Sequence, residues 1–191
     1  MLKNSLFRFI GSVCALLAVG CTSAEISTPL ESAEGDVLTS YGEMMAFLGR
    51  LEAETGAFEI DTIGTSGEGR SLVALHFSGD QDAGPSEKLK VLIYAQQHGN
   101  EPSGKEAAIA LARDIATGEF TDFLSEVDFY LIPQVNPDGS EERQRRNASE
   151  FDLNRDHIAL FTPEVAALHA FYNELLPDVT LDAVSYTHLT L

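Results

Sequence analysis

Basic residues are scarce. Lysine and arginine number 12 against 30 aspartates and glutamates, for a formal net charge of −18. No basic surface is available to neutralise phosphates, which excludes a nucleic-acid partner. Cysteine is almost absent: Cys14 and Cys21 stand alone in 191 residues, too few for a disulfide framework. The apolar run Phe9–Val19 falls short of the roughly 20 residues needed to span a bilayer. No internal repeat is visible, so a solenoid or propeller is excluded. What is present is a 44% hydrophobic fraction, which rules out a wholly disordered chain, and enough length for one domain with a core.

The first segment reads as an address. Lys3 and Arg8 are the only charges before Cys21, and they precede the apolar run. This is the layout of a signal peptide. Its end, Leu17-Ala18-Val19-Gly20-Cys21, resembles a bacterial lipoprotein signal, in which Cys21 becomes the lipidated first residue; an ordinary cleaved signal peptide is the alternative. Residues 1–20 are then the lipoprotein signal peptide. Thr22, in place of Asp after the cysteine, favours the outer membrane by resemblance to bacterial sorting rules. The expected location is the bacterial cell envelope, lipid-anchored, facing periplasm or exterior. The small, polar and acidic stretch that follows makes 21–37 a flexible tether from membrane to domain.

Apolar spacing at Met44, Met45, Phe47, Leu48 and Leu51 predicts a helix over Tyr41–Glu54. Ala57–Ile63, Ser71–Phe77, Lys90–Ala95 and Val127–Pro133 read as strands, and Val179–Leu181 opens another. Pro102–Thr117 is Ala-rich and stops at Gly118; Thr162–Leu176 carries Pro163 at its start and Pro177 after it. Both are helices. The helix over 102–117 is read as core through Ala107, Ala108, Ala110, Leu111 and Ala112. Asp80–Lys88 is a polar loop. Strands alternating with helices predict an α/β sandwich.

Three strings carry candidate chemistry. The first, Gln96-Gln97-His98-Gly99-Asn100-Glu101-Pro102, follows a strand and opens a helix, where ligand sites of α/β sheets gather. The turn at Gly99 lets the His98 imidazole and Glu101 carboxylate converge on one ion, a donor pair suited to Zn²⁺. Asn136-Pro137-Asp138-Gly139 reads by itself as a tight turn. The third string holds three arginines, Arg143, Arg145 and Arg146, before Asn147, and then Asp152-Leu153-Asn154-Arg155. The planar guanidinium fork suits bidentate capture of a carboxylate.

In this order the strings resemble the carboxypeptidase A/B-type zinc metallocarboxypeptidase family, over about Lys90–Asp182. The resemblance implies a mixed-sheet α/β/α sandwich, incomplete at its C-terminus, with residues 38–183 forming the N-terminal part of the catalytic domain. It implies His98 and Glu101 as ligands of one Zn²⁺. Arg145, chosen by the Arg-x-Asn register with Asn147, then polarises the scissile carbonyl and stabilises the oxyanion. Asn154 and Arg155 bind the free C-terminal carboxylate of a peptide substrate, or of a peptidoglycan peptide. Arg143 and Arg146 have no assigned role.

By the same resemblance a further histidine ligand belongs at position 184, which is Val184; the nearest histidine is His188. The family's general-base glutamate and its substrate-capping tyrosine lie further on. The chain alone is therefore expected to be inactive. Val184–Leu191 resembles translated sequencing-adapter read-through and is expected to be non-native. Two alternatives share parts of the pattern: a zinc-dependent N-acyl-amino-acid deacylase of the aspartoacylase or succinylglutamate desuccinylase type, and a non-catalytic lipoprotein that binds peptide C-termini. His76 is read as a satisfied sheet residue, and His157 and His169 as packing residues.

Overall fold

The computed structural model describes residues 26–78 and 88–184. Residues 1–25, including Cys21, and 185–191, including His188, lie outside the described residues, as does most of the loop expected over 80–88.

A short helix α1, Pro29–Ser32, comes first. The tether expected over 21–37 differs from what the structure places at 26–37. Thr28 and Glu31 form a capping box, and Arg113 bonds both the Ile26 carbonyl (2.9 Å) and the Glu31 carboxylate (2.8 and 3.2 Å). Ile26 packs on the core. Low hydropathy concealed a capping sequence, Thr28-Pro29-Leu30-Glu31, that supplies its own backbone partners.

Helix α2, Tyr41–Thr55, starts at a second capping box, Ser40 with Glu43, and ends at Gly56 in the left-handed region (φ 60°). Met44, Phe47, Leu48 and Leu51 form its buried stripe. Strands β1 (Glu59–Thr65) and β2 (Ser71–Phe77) make a hairpin with an irregularity between Thr62 and Gly64. Strand β3 is Leu89–Ala95 and α3 is Ser103–Ala116. The buried face of α3 is Lys105, Ala108, Ile109, Ala112 and Ile115, so Ala107 points outward and Leu111 is only partly buried, unlike the expected core set. Helix α4 (Thr121–Glu126) leads into β4 (Val127–Ile132); α5 is Pro137–Glu141, α6 is Pro163–Leu175 and β5 is Val179–Ala183.

The five strands lie in the order β1-β2-β4-β3-β5. The β1–β2 and β2–β4 pairs are antiparallel; β3 runs parallel to both β4 and β5. The sheet is mixed, as expected. One face, through Leu75, Phe77, Phe129 and Leu131, packs on α2 and α3. The other, through Ala74, Leu92 and Ile132, packs on Val165 and Leu168 of α6. The helices thus cover both faces, the α/β/α arrangement.

Beyond the parallel strands the chain stays paired for one more step. The Val135 N–H donates to the Ala95 carbonyl and the Asn136 N–H to that of Gln96, both at 3.0 Å. The segments after β3 and β4 therefore run side by side at the carboxyl end of the sheet. Both contain the strings singled out above.

Candidate metal and substrate site

Gln96 leaves β3 with φ 53°, a strained value for a residue with a Cβ. Its side chain holds it there. Nε2 donates to the Gly99 carbonyl at 3.0 Å, and Oε1 accepts from Gln134 at 2.8 Å. The turn this creates brings His98, buried to 3% exposure, under the carboxyl edge of the sheet.

Gly99 sits against Gly139. A Cβ at Gly99 would lie 2.0 Å from the Gly139 carbonyl carbon, and one at Gly139 would lie 2.3 Å from the Arg146 oxygen. The Asn136-Pro137-Asp138-Gly139 string is thus a brace for the metal loop. Asn136 caps α5 by accepting from the Gly139 N–H (2.9 Å) and donates to the Gln97 carbonyl (3.1 Å). The buried Asp138 accepts from Ser66 (2.7 Å), from the Glu68 N–H (2.9 Å) and from Arg70 (2.6 Å), which ties the β1–β2 loop to it.

His98 Nε2 lies 2.9 Å from Asp152 Oδ1. A carboxylate only accepts, so Nε2 carries a proton, and in the neutral ring Nδ1 presents a lone pair. Nδ1 is 3.2 Å from Glu101 Oε1, yet it is buried without a hydrogen bond. In that neutral form a nitrogen lone pair faces a carboxylate oxygen, which is how two ligands of one cation are disposed.

Arg145 completes the group. Its Nη1 donates to Glu101 Oε1 at 2.9 Å and its Nε to Asp152 Oδ2 at 3.2 Å. Its carbonyl accepts from the Gly99 N–H at 3.3 Å. Neighbouring Arg146 turns away to the Glu150 carbonyl, and Arg143 is exposed. Of the three arginines, Arg145 alone reaches His98's partners. Burial pushes the Asp152 carboxyl up, but the His98 hydrogen bond and the charge and hydrogen bond of Arg145 outweigh it and hold the carboxyl below its ordinary value. Asp152 was legible in the Asp-Leu-Asn-Arg string, although spacing alone assigned it no role.

Asn154 and Arg155 lie on a single 3₁₀ turn, Leu153–Arg155, directly after Asp152. Among the described residues no hydrogen bond or ion pair joins their side chains to His98, Glu101 or Arg145. Arg155 Nη1 donates to the Asn154 carbonyl at 2.9 Å, and the rest of its guanidinium is exposed. Asn147 is fully buried. It bonds the Ser149 and Phe151 N–H groups and Glu164, shaping the loop between Arg145 and Asp152.

The other histidines differ from expectation in detail. His76 stacks on Tyr130 at 4.3 Å, but its Nε2 is buried without a partner, so it is not fully satisfied. His157 and His169 bond each other at 2.9 Å. Val184, in the register expected to supply a third ligand, is aliphatic and cannot bind a metal. Among the described residues no group of three or more His, Cys, Asp or Glu side chains could hold an ion.

The profile of the zinc carboxypeptidases matches residues 44–174. The chain belongs to the zinc carboxypeptidase family. It is 31% identical over 127 residues to probable carboxypeptidase 2 of Arthroderma benhamiae, covering 64% of this chain and 24% of that one. A metallo-carboxypeptidase from Burkholderia cenocepacia superposes with a TM-score of 0.68 at 27% identity, over 76% of this chain and 40% of that one. A metallo-carboxypeptidase from Pseudomonas aeruginosa, solved in complex with (2-guanidinoethylmercapto)succinic acid, gives 0.65 at 28% identity, over 76% and 39%. The chain thus spans less than half the length of each of these relatives. The family implies zinc, and the orphaned Nδ1 of His98 facing Glu101 fits it.

Proposed function

We propose that the protein is a zinc metallocarboxypeptidase that hydrolyses the C-terminal peptide bond of peptides. The observation that carries this reading is the convergence of His98 Nδ1, Glu101 Oε1 and Arg145 Nη1 at one point beyond the parallel strands. His98 and Glu101 hold the ion. Zinc, when bound, supplies Lewis-acid polarisation of a carbonyl and a water whose pKa is lowered toward about 7. Asp152 keeps the His98 ring in the Nδ1-ligating tautomer. Arg145 places a cation beside the scissile carbonyl, where such a donor stabilises developing negative charge by about 3 kcal/mol. Asn154 and Arg155 take the free carboxylate of the substrate. An internal peptide bond has no such anion nearby, so this contact selects the chain end. The dicarboxylate held by the Pseudomonas aeruginosa relative supports a site built for carboxylates.

The two protein ligands found among the described residues are fewer than the three of catalytic zinc sites. The 191-residue chain alone is therefore expected to bind Zn²⁺ without hydrolysing peptide. In the cell, Cys21 lipidation would hold the protein in the envelope, with peptides of the periplasm or exterior as substrates. The test uses the full-length protein and a peptide with either a free or an amidated C-terminus. Cleavage of the free form only, lost in His98→Ala and in Glu101→Gln, is the expected result. Equal cleavage of the amidated peptide would overturn the carboxylate assignment.

A further inference from the structure

A second group of ligating side chains lies outside the site described above. It is a line of hydrogen bonds that begins at Asp182 on β5. Asp182 Oδ2 accepts from Gln97 Nε2 at 2.7 Å. Gln97 Oε1 lies 2.7 Å from His157 Nε2, and His157 Nδ1 lies 2.9 Å from His169 Nε2. The carboxylate can only accept, so the Gln97 amide nitrogen must face it and the amide oxygen must face His157. His157 then carries its proton on Nε2 and offers the Nδ1 lone pair toward His169. A metal-binding imidazole is held in just this way, its other nitrogen donating to an oxygen that is itself fixed.

Both rings border a cavity of about 400 Å³ that Tyr94, Tyr172, Asn173 and Thr180 also line. The space leaves room for water on the open side of the pair. Burial, and then the neighbouring His169, lower the His157 pKa, which favours the neutral ring whose Nδ1 accepts from His169. Two imidazole nitrogens bonded to one ion at about 2.0–2.1 Å and at right angles lie about 2.9 Å apart. The two nitrogens lie 2.9 Å apart across their hydrogen bond, so an ion would take the place of that bond. Imidazole is a suitable donor for Cu²⁺ and Ni²⁺, whose tetragonal geometry accepts two nitrogens at right angles.

We propose that His157 Nδ1 and His169 Nε2 form a binding site for one divalent transition-metal ion of the copper–nickel class, separate from His98 and Glu101. Binding replaces the hydrogen bond between the two rings. His169 takes up the ion as the Nδ1–H tautomer, so no net proton is lost from the pair. Water in the cavity fills the remaining positions. The site is independent of the peptidase reading, because it shares no ligand with the zinc pair.

The probe is Cu²⁺ alone, added to the 191-residue chain carrying His98→Ala and Glu101→Ala. One equivalent is expected to bind, with an electron paramagnetic resonance spectrum of two coupled nitrogens. Adding His169→Gln should weaken binding at least tenfold and leave one nitrogen. Failure of the double variant to bind Cu²⁺, or a spectrum unchanged by both His157→Gln and His169→Gln, would overturn the proposal. A readout that needs no variant is the loss of ring resonances in the unsubstituted chain at substoichiometric Cu²⁺. Broadening of His157 and His169 supports the site; broadening of His98 with those two left sharp overturns it.

Discussion

Asp152 shows how one carboxylate can organise a site without being its ligand. One oxygen fixes the proton on His98 Nε2, and the other holds Arg145 at Nε. Asp152→Asn presents one acceptor where the carboxylate presented two, so both contacts cannot survive. Zinc affinity of the His98–Glu101 pair is expected to fall about 10–100-fold, the usual cost of losing an orienting partner. Competition against a chromophoric chelator measures it. His98 and Glu101 were legible from spacing because a turn with two donors three residues apart is a local feature. Asp152 lies fifty-four residues from His98 in sequence, and only the fold brings them within 2.9 Å.

Asp156, at the other end of the short 3₁₀ turn that Asp152 begins, does a different job. It accepts from the Phe161 N–H (3.0 Å) and from the Thr162 N–H and hydroxyl (2.8 and 2.7 Å), fixing the entry to α6. Burial raises its pKa, but these hydrogen bonds lower it further, leaving the folded value below the ordinary one. A depressed carboxylate contributes stability above its unfolded pKa and loses it as pH falls through the folded value. Asp156→Asn should cost about 1–3 kcal/mol at neutral pH, because hydrogen bonds to a charged group are lost. The cost should shrink as the medium is acidified below the ordinary aspartate pKa. Urea denaturation at several pH values reads both.

At the scale of elements, the metal loop depends on backbone meeting backbone. Gly99 and Gly139 approach so closely that any Cβ on either would overlap main-chain atoms, which cannot swing aside as a side chain can. Gly99→Ala is expected to destabilise by about 3 kcal/mol, at the upper end of overpacking costs, and to weaken zinc binding at the same time. Denaturation midpoint and metal titration on one protein test the two together. The turn reading of Asn136-Pro137-Asp138-Gly139 was available from composition, since Asn and Pro at a helix start need no tertiary contact. Its role as a brace was not, because the partner loop is elsewhere in the chain. Helix α1 makes the converse case. Its capping box was present in the sequence, but the anchor is Arg113 on α3, a residue whose partner no local pattern names.

The whole molecule is a mixed sheet with α2 and α3 on one face and α6 on the other. Among the described residues β5 pairs with β3 alone, and Val179 and Leu181 on it are about half exposed. An edge of this kind is a template for another strand. The 191-residue chain is expected to self-associate at raised concentration, and Leu181→Lys to reduce this. Light scattering after gel filtration checks it. An identical distribution in the two proteins would show that β5 is not the contact.

Periodicity, caps and prolines determine the helices α2, α3 and α6 and the strands β2, β3 and β4, because each rests on neighbours within a few residues. The same local logic determined the order of the strings that mark a zinc carboxypeptidase. Side chains far apart in sequence were left to the tertiary structure. It set Arg145, already singled out by the Arg-x-Asn register, against Glu101 and Asp152, assigned Asp152 to His98, and lined up Asp182, Gln97, His157 and His169. The reason is physical. A hydrogen bond between distant residues depends on where the sheet and its loops place two backbones. That placement is decided by the packing of the whole core and not by the residues that form the bond.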